Sequence, residues 1–70
     1  MSDVVAPMAG KIIKVLVNIG DAVQEDDELA ILEAMKMEMP IVAPASGSVK
    51  EIKISEGANI EADQVIMVLG

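Results

Sequence analysis

The chain has no histidine, no cysteine and no aromatic residue. Without cysteine there is neither a disulfide nor a thiolate metal site. Without histidine the commonest metal ligand and general base is missing. Without Phe, Tyr or Trp, the core must be built from Val, Ile, Leu, Met and Ala. No apolar run approaches the ~20 residues of a membrane span, and no signal-peptide pattern is visible. Positive charge is scarce: the net charge is −7, which argues against a phosphate-backbone partner. The polar residues that remain are acids, lysines and a few serines, too thin a vocabulary for bond chemistry by this chain alone. The lack of cysteine fits a cytoplasmic chain, and the cytoplasm is the expected location.

What is present is a repeat. Shifting the sequence by 37 positions lays Val5-Ala6-Pro7 on Val42-Ala43-Pro44, Gly10 on Gly47, Gly20 on Gly57, Asp26 on Asp63 and Leu32 on Leu69. Apolar character also matches without identity, as in Ile12 with Val49, Val23 with Ile60 and Ile31 with Val68. The shift never changes, so no insertion separates the segments 5–33 and 42–70. Residues 1–70 therefore read as one small domain of two similar β-units related by an approximate two-fold axis. Neither unit could bury its apolar face alone. Lys36 stands at the join, and on this reading it lies on or near the axis, with the chain ends meeting at the axis's far end.

The coarse reading is all-β. Val4 to Ala6 reads as a short strand ended by Pro7. Lys11 to Val17 is a strand with a bulge or twist where Ile12 and Ile13 are adjacent. Asn18 to Asp21 is a turn, with Gly20 placed for φ > 0. Ala22-Val23 pairs briefly, Gln24 to Glu28 is an acidic loop, and Leu29 to Ala34 is an apolar strand. Met35-Lys36 reads as a tight hairpin turn, on the strength of the repeat more than of its own turn chemistry. Met37 to Val42 returns as a strand, with Pro40 near an edge or a bulge. Ser48 to Ile54, Asn59-Ile60 and Val65 to Leu69 complete about eight strands, and Gly57 repeats the Gly20 turn. The expected fold is a flattened barrel or sandwich of two four-stranded antiparallel sheets.

A Met35-Lys36 turn would set Ala34 opposite Met37 and Glu33 opposite Glu38. Two glutamates facing each other across a ladder repel. Either both are solvated at a wet hairpin end, or they serve recognition. A tip lysine ordinarily just keeps the tip soluble, and Lys11, Lys14, Lys50 and Lys53 are assigned that role. Lys36 differs in position: it is at the repeat junction, in the turn, with a methionine on each side. Met35, Met37 and Met39 at period two form either a buried strand face or an adaptable apolar flank for a partner. A catalytic lysine would be desolvated or set beside another cation. Lys36 has carboxylates for neighbours, so it reads as a site that another enzyme modifies.

Glu33-Ala34-Met35-Lys36-Met37-Glu38 resembles the attachment motif of biotinyl domains, the biotin carboxyl carrier family. Val5-Ala6-Pro7-Met8-Ala9-Gly10, the Gly20-Asp21 turn and Ala43-Pro44 to Gly47 are also similar to the family pattern, so the resemblance covers essentially the whole chain. It implies a barrel-sandwich hybrid without the protruding thumb of some bacterial carriers. It implies that Lys36 carries covalent biotin, attached by a biotin protein ligase, with Ala34, Met35 and Met37 completing the attachment motif. Glu33 and Glu38 would help the ligase select this domain. A non-catalytic carrier of this kind ferries carboxybiotin between a biotin carboxylase component and a carboxyltransferase or decarboxylase component. It occurs free-standing or within a longer chain. Acetyl-CoA, propionyl-CoA and pyruvate carboxylases, decarboxylases and transcarboxylases all remain open as the parent enzyme. The related lipoyl domains typically have Asp-Lys-Ala at the tip, so Met-Lys-Met favours biotin. A domain with an unmodified lysine that only binds partners is the reading of a different class. Metal binding by Glu25-Asp26-Asp27-Glu28 lacks a glycine-containing calcium loop.

Overall fold

A computed structural model describes residues 2–70. Eight strands follow one another: β1 (Ser2–Val5), β2 (Gly10–Val15), β3 (Ala22–Val23), β4 (Glu28–Ala34), β5 (Met37–Val42), β6 (Gly47–Ile52), β7 (Asn59–Ile60) and β8 (Val65–Leu69). They form two four-stranded antiparallel sheets, in the orders β1-β8-β6-β3 and β5-β4-β2-β7. Each strand boundary lies within two residues of its sequence expectation. No helix among the described residues is long and apolar enough to cross a membrane.

The 37-residue shift is written into the hydrogen bonds, which cross between the two units in reciprocal pairs. The Gly20 N–H donates to the Val49 carbonyl at 2.8 Å, and the Gly57 N–H to the Ile12 carbonyl at 2.6 Å. The Asp26 N–H donates to Ala43 and the Asp63 N–H to Ala6, both at 2.9 Å. In each case residues i and i+37 trade places, so a two-fold axis relates the units. Gly20 and Gly57 have φ of +95° and +90° in the matching turns, a backbone that glycine adopts without steric cost. The bulges match as well. The β2–β4 register slips at Ile13 and the β6–β8 register at Lys50; the β4–β5 register slips at Leu29 and the β1–β8 register at Ile66. The bulge at Lys50 resolves a parity conflict in the sequence, because it lets Lys50 stay exposed while Ile52 turns inward.

The axis does not pass through Lys36, which corrects the sequence expectation. The Ser2–Leu69 pair of β1–β8 is the image of the Met39–Leu32 pair of β4–β5. The two-fold therefore exchanges the β4–β5 hairpin tip with the paired chain ends, and a point that is exchanged is not on the axis. The ends do lie far from the tip. Gly10 abuts Glu33 and Ala34 next to the turn, and Gly47 abuts Gly70 at the ends. The chain runs extended from Gly10 toward the Gly20 turn, which bonds to Val49 beside Gly47. A strand rises about 3.3 Å per residue, so this run crosses much of the molecule's 30 Å length.

The core fills the space between the sheets. Val4, Ile12, Leu29, Leu32, Val49, Ile66, Met67 and Leu69 are fully buried, and among the described residues no polar or charged side chain is buried with them. With no aromatic to fill space, aliphatic side chains from both units interdigitate around the axis.

Candidate functional site at the hairpin tip

The β4–β5 hairpin closes through a two-residue loop, Met35-Lys36. Their φ angles are +53° and +65°. Positive φ at both central residues is the primed turn whose twist matches the strands it joins. The ladder, not the turn residues, imposes it: six pairs from Glu28–Val42 to Ala34–Met37 fix the register. Neither Met nor Lys gains from this backbone, so the turn holds strain of roughly 1–2 kcal/mol per residue.

The register places Ala34 opposite Met37 and Glu33 opposite Glu38. Ala34 is buried, while Met35 is 86% and Met37 66% exposed. The tip thus has a small anchored residue at its base and two methionines in solvent around Lys36, which is itself exposed. Of the alternating methionines, Met39 is half-buried and packs against the core, so the stripe divides between the two expected roles. Lys36 enters no ion pair; among the described residues the only one is Lys53 with Glu51 at 3.8 Å. The ε-amine is unencumbered.

Two features of the tip were missed in the sequence. Lys11 lies directly across from Glu33, so a Glu38–Glu33–Lys11 row crosses three strands below the turn. Gly10, one residue before the expected start of the second strand at Lys11, is the first residue of β2. A Cβ there would collide with the Glu33 carbonyl and lie 2.8 Å from Leu32 Cδ1. The missing side chain lets β2 close against the base of the hairpin. The identity of Gly10 and Gly47 in the repeat was the available signal, since Gly47 makes the same approach to the Gly70 carbonyl.

The sheet's outer face below the tip carries a shallow groove of about 190 Å³ lined by Glu28, Ile31, Glu38, Met39 and Pro40. Pro40 sits on the edge strand opposite Ile31. A two-residue loop makes Ala34–Met37 a hydrogen-bonded pair, so by alternation Pro40's nitrogen faces the free edge, where no N–H is required. Of the acidic run Glu25-Asp26-Asp27-Glu28, Glu28 lines this groove and Asp27 serves the chain locally. The Asp27 carboxylate accepts the Gln24 N–H at 2.9 Å, and Asp26 takes a φ of +72°. No group of three or more acidic side chains is arranged to hold a metal among the described residues.

Comparison with known proteins follows the same lines. Residues 2–69 match the family described as biotin-requiring enzyme. The chain is 50% identical over 64 residues to the biotin carboxyl carrier protein of Streptococcus mutans, covering 91% of this chain and 49% of that protein. It is 50% identical over 62 residues to the biotin/lipoyl attachment protein of Bacillus subtilis, covering 89% and 85% respectively. In three dimensions it is similar to part of the urea carboxylase of Kluyveromyces lactis. The TM-score is 0.93 at 32% sequence identity, over 99% of this chain and 6% of that one.

Proposed function

This chain belongs to the biotin-requiring enzyme family, and on that premise we propose that Lys36 takes covalent biotin and that the domain carries it between active sites. The observation that carries the assignment is the unpaired, exposed lysine on a strained two-residue turn, flanked by Met35 and Met37. Attachment forms a bond between the biotin carboxyl carbon and Lys36 Nζ as a C–O bond of the carboxyl, activated by the ligase with ATP, breaks and its leaving group departs; the ammonium gives up two protons, keeps one as the amide N–H, and loses its positive charge. That chemistry belongs to a biotin protein ligase, because nothing beside Lys36 activates it as a nucleophile. The biotin, when bound, accepts a carboxyl group at one active site and yields it at another.

The chain's own residues supply position. The ladder holds the turn, Ala34 anchors its base, and Gly10 lets β2 brace it. A rigid mount of this kind presents an arm in a reproducible orientation, and tethering raises the effective concentration of the group at each partner. Met35 and Met37 offer apolar contact that adapts to more than one surface. Glu33 and Glu38 form an acidic base that helps the ligase recognise the hairpin. The partners are a biotin carboxylase component and a carboxyltransferase or decarboxylase component, and the cytoplasm is the proposed compartment.

The B. subtilis relative's name includes lipoyl attachment, so lipoate on the same lysine is the second reading. Intact mass after co-expression with a biotin protein ligase, followed by peptide mapping, separates the two. A single biotin increment on Lys36, absent from a folded Lys36→Ala variant, is the expected result. A folded chain that a lipoate ligase modifies and a biotin ligase does not would overturn the assignment.

A further inference from the structure

The two-fold axis supplies an internal control. Positions i and i+37 share a backbone environment, so a difference between them reports something other than the demands of the fold. Most buried pairs are alike: Ile12 with Val49, Leu29 with Ile66, Leu32 with Leu69. Exposed pairs differ at several places, Lys14 against Glu51 and Ile19 against Glu56 among them, and the groove below the tip is one where the difference changes the chemistry of a concave surface. Glu28 corresponds to Val65, and both pair in register with a valine, Val42 and Val5 respectively. Pro40 corresponds to Asp3, each opposite an aliphatic residue, Ile31 and Val68. Val68 is buried, whereas Ile31 remains half-open on the groove floor. A fold that accepts valine at 65 has no need of glutamate at 28.

The chemistry of the groove is an apolar floor of Ile31 and Pro40 between two carboxylates, Glu28 and Glu38. Its charge complement is a cation beside an apolar group. Its place narrows the occupant further. Before modification, Lys36 is an amine on a four-carbon stem, so the enzyme that acylates it must bring its active site down onto the turn. Such an enzyme covers the flanks of the hairpin. The groove begins at Glu38, two residues from Lys36. A component that acts later meets the far end of a longer arm and can stand off.

We propose that this groove docks the lysine-modifying ligase, through a lysine or arginine side chain received between Glu28 and Glu38 and an apolar one laid over Ile31 and Pro40. The inference rests on the biotin reading above and adds Glu28, Ile31 and Pro40 to the recognition surface.

The test is steady-state biotinylation of the full chain by purified biotin protein ligase with biotin and ATP, the product counted by intact mass. Glu28→Val copies the residue that the fold carries at 65, and Glu28→Lys reverses the charge. Glu51→Lys makes the same reversal on the opposite sheet. KM is expected to rise about threefold for Glu28→Val and about tenfold for Glu28→Lys at low salt, with kcat unchanged and the gap narrowing as salt is added. Glu51→Lys is expected to match the parent chain. Equal KM for all four proteins would overturn the proposal. An equal rise for Glu51→Lys would also do so, by assigning the effect to net charge instead of the groove. A parent chain that accepts no biotin would overturn the biotin reading itself.

Discussion

Met35 and Lys36 occupy a backbone that asparagine and glycine adopt more readily. Met35→Asn is therefore expected to stabilise the domain by roughly 0.5–1 kcal/mol, raising the melting midpoint by a few degrees in a domain of this size. Thermal melting by circular dichroism checks this, and a fall in the midpoint would show that Met35 contributes packing its exposure does not suggest. Met35→Leu and Met37→Leu keep an apolar flank without the thioether's flexibility. Both variants are expected to accept biotin at the parent rate and to lose efficiency in carboxyl transfer. Mass spectrometry and a transfer assay with the partner components separate these steps, and a variant that takes no biotin would contradict the division. That Lys36 sits exposed in the turn was legible in the sequence from its position, the junction of the repeat between two methionines. Its left-handed backbone was not, since Met and Lys carry no turn signal and the ladder on either side imposes the geometry.

Gly10 and Gly20 are glycine for different reasons, and the elements around them say which. A Cβ at Gly20 meets nothing within 4 Å, so Gly20→Ala is strained only by its φ of +95°; a loss of about 1 kcal/mol is expected. A Cβ at Gly10 runs into β4 at Glu33 and Leu32, and overpacking of this kind costs about 1–3 kcal/mol. Gly10→Ala is expected to be the more destabilising in urea unfolding, and to slow biotinylation as the hairpin base shifts. Equal losses, with biotinylation unaffected in both, would mean that β2 does not brace the tip. Strand order along the chain was readable from β-branched runs and turn residues. What lies across a strand was readable only beside the turn, where Ala34 meets Met37 and Glu33 meets Glu38 as expected; farther from the turn it was not. Glu28, Ile31, Glu38 and Pro40 meet only through the β4–β5 register, which slips at Leu29; a linear pattern does not place that bulge.

Across the whole molecule, 12 acidic side chains face 5 basic ones, and self-repulsion opposes the compact state. Raising the salt concentration from low to physiological is expected to raise the melting midpoint by screening. A fall would show that attractive pairs, such as Glu51 with Lys53, outweigh the repulsion. The presence of two units was legible from a constant 37-residue shift, but the direction of their axis was not, because a one-dimensional repeat does not say which ends a rotation exchanges. The pairing of Ser2 with Leu69 settles it by matching that of Met39 with Leu32. That pairing also has a mechanical consequence. β1 and β8 are antiparallel neighbours that bring the two ends of the described chain together. Force applied to these ends peels β1 from β8 one rung at a time, starting at Ser2–Leu69. The β4–β5 hairpin lies in the other sheet, outside the line of tension, and bears none of the load until the first ladder has opened.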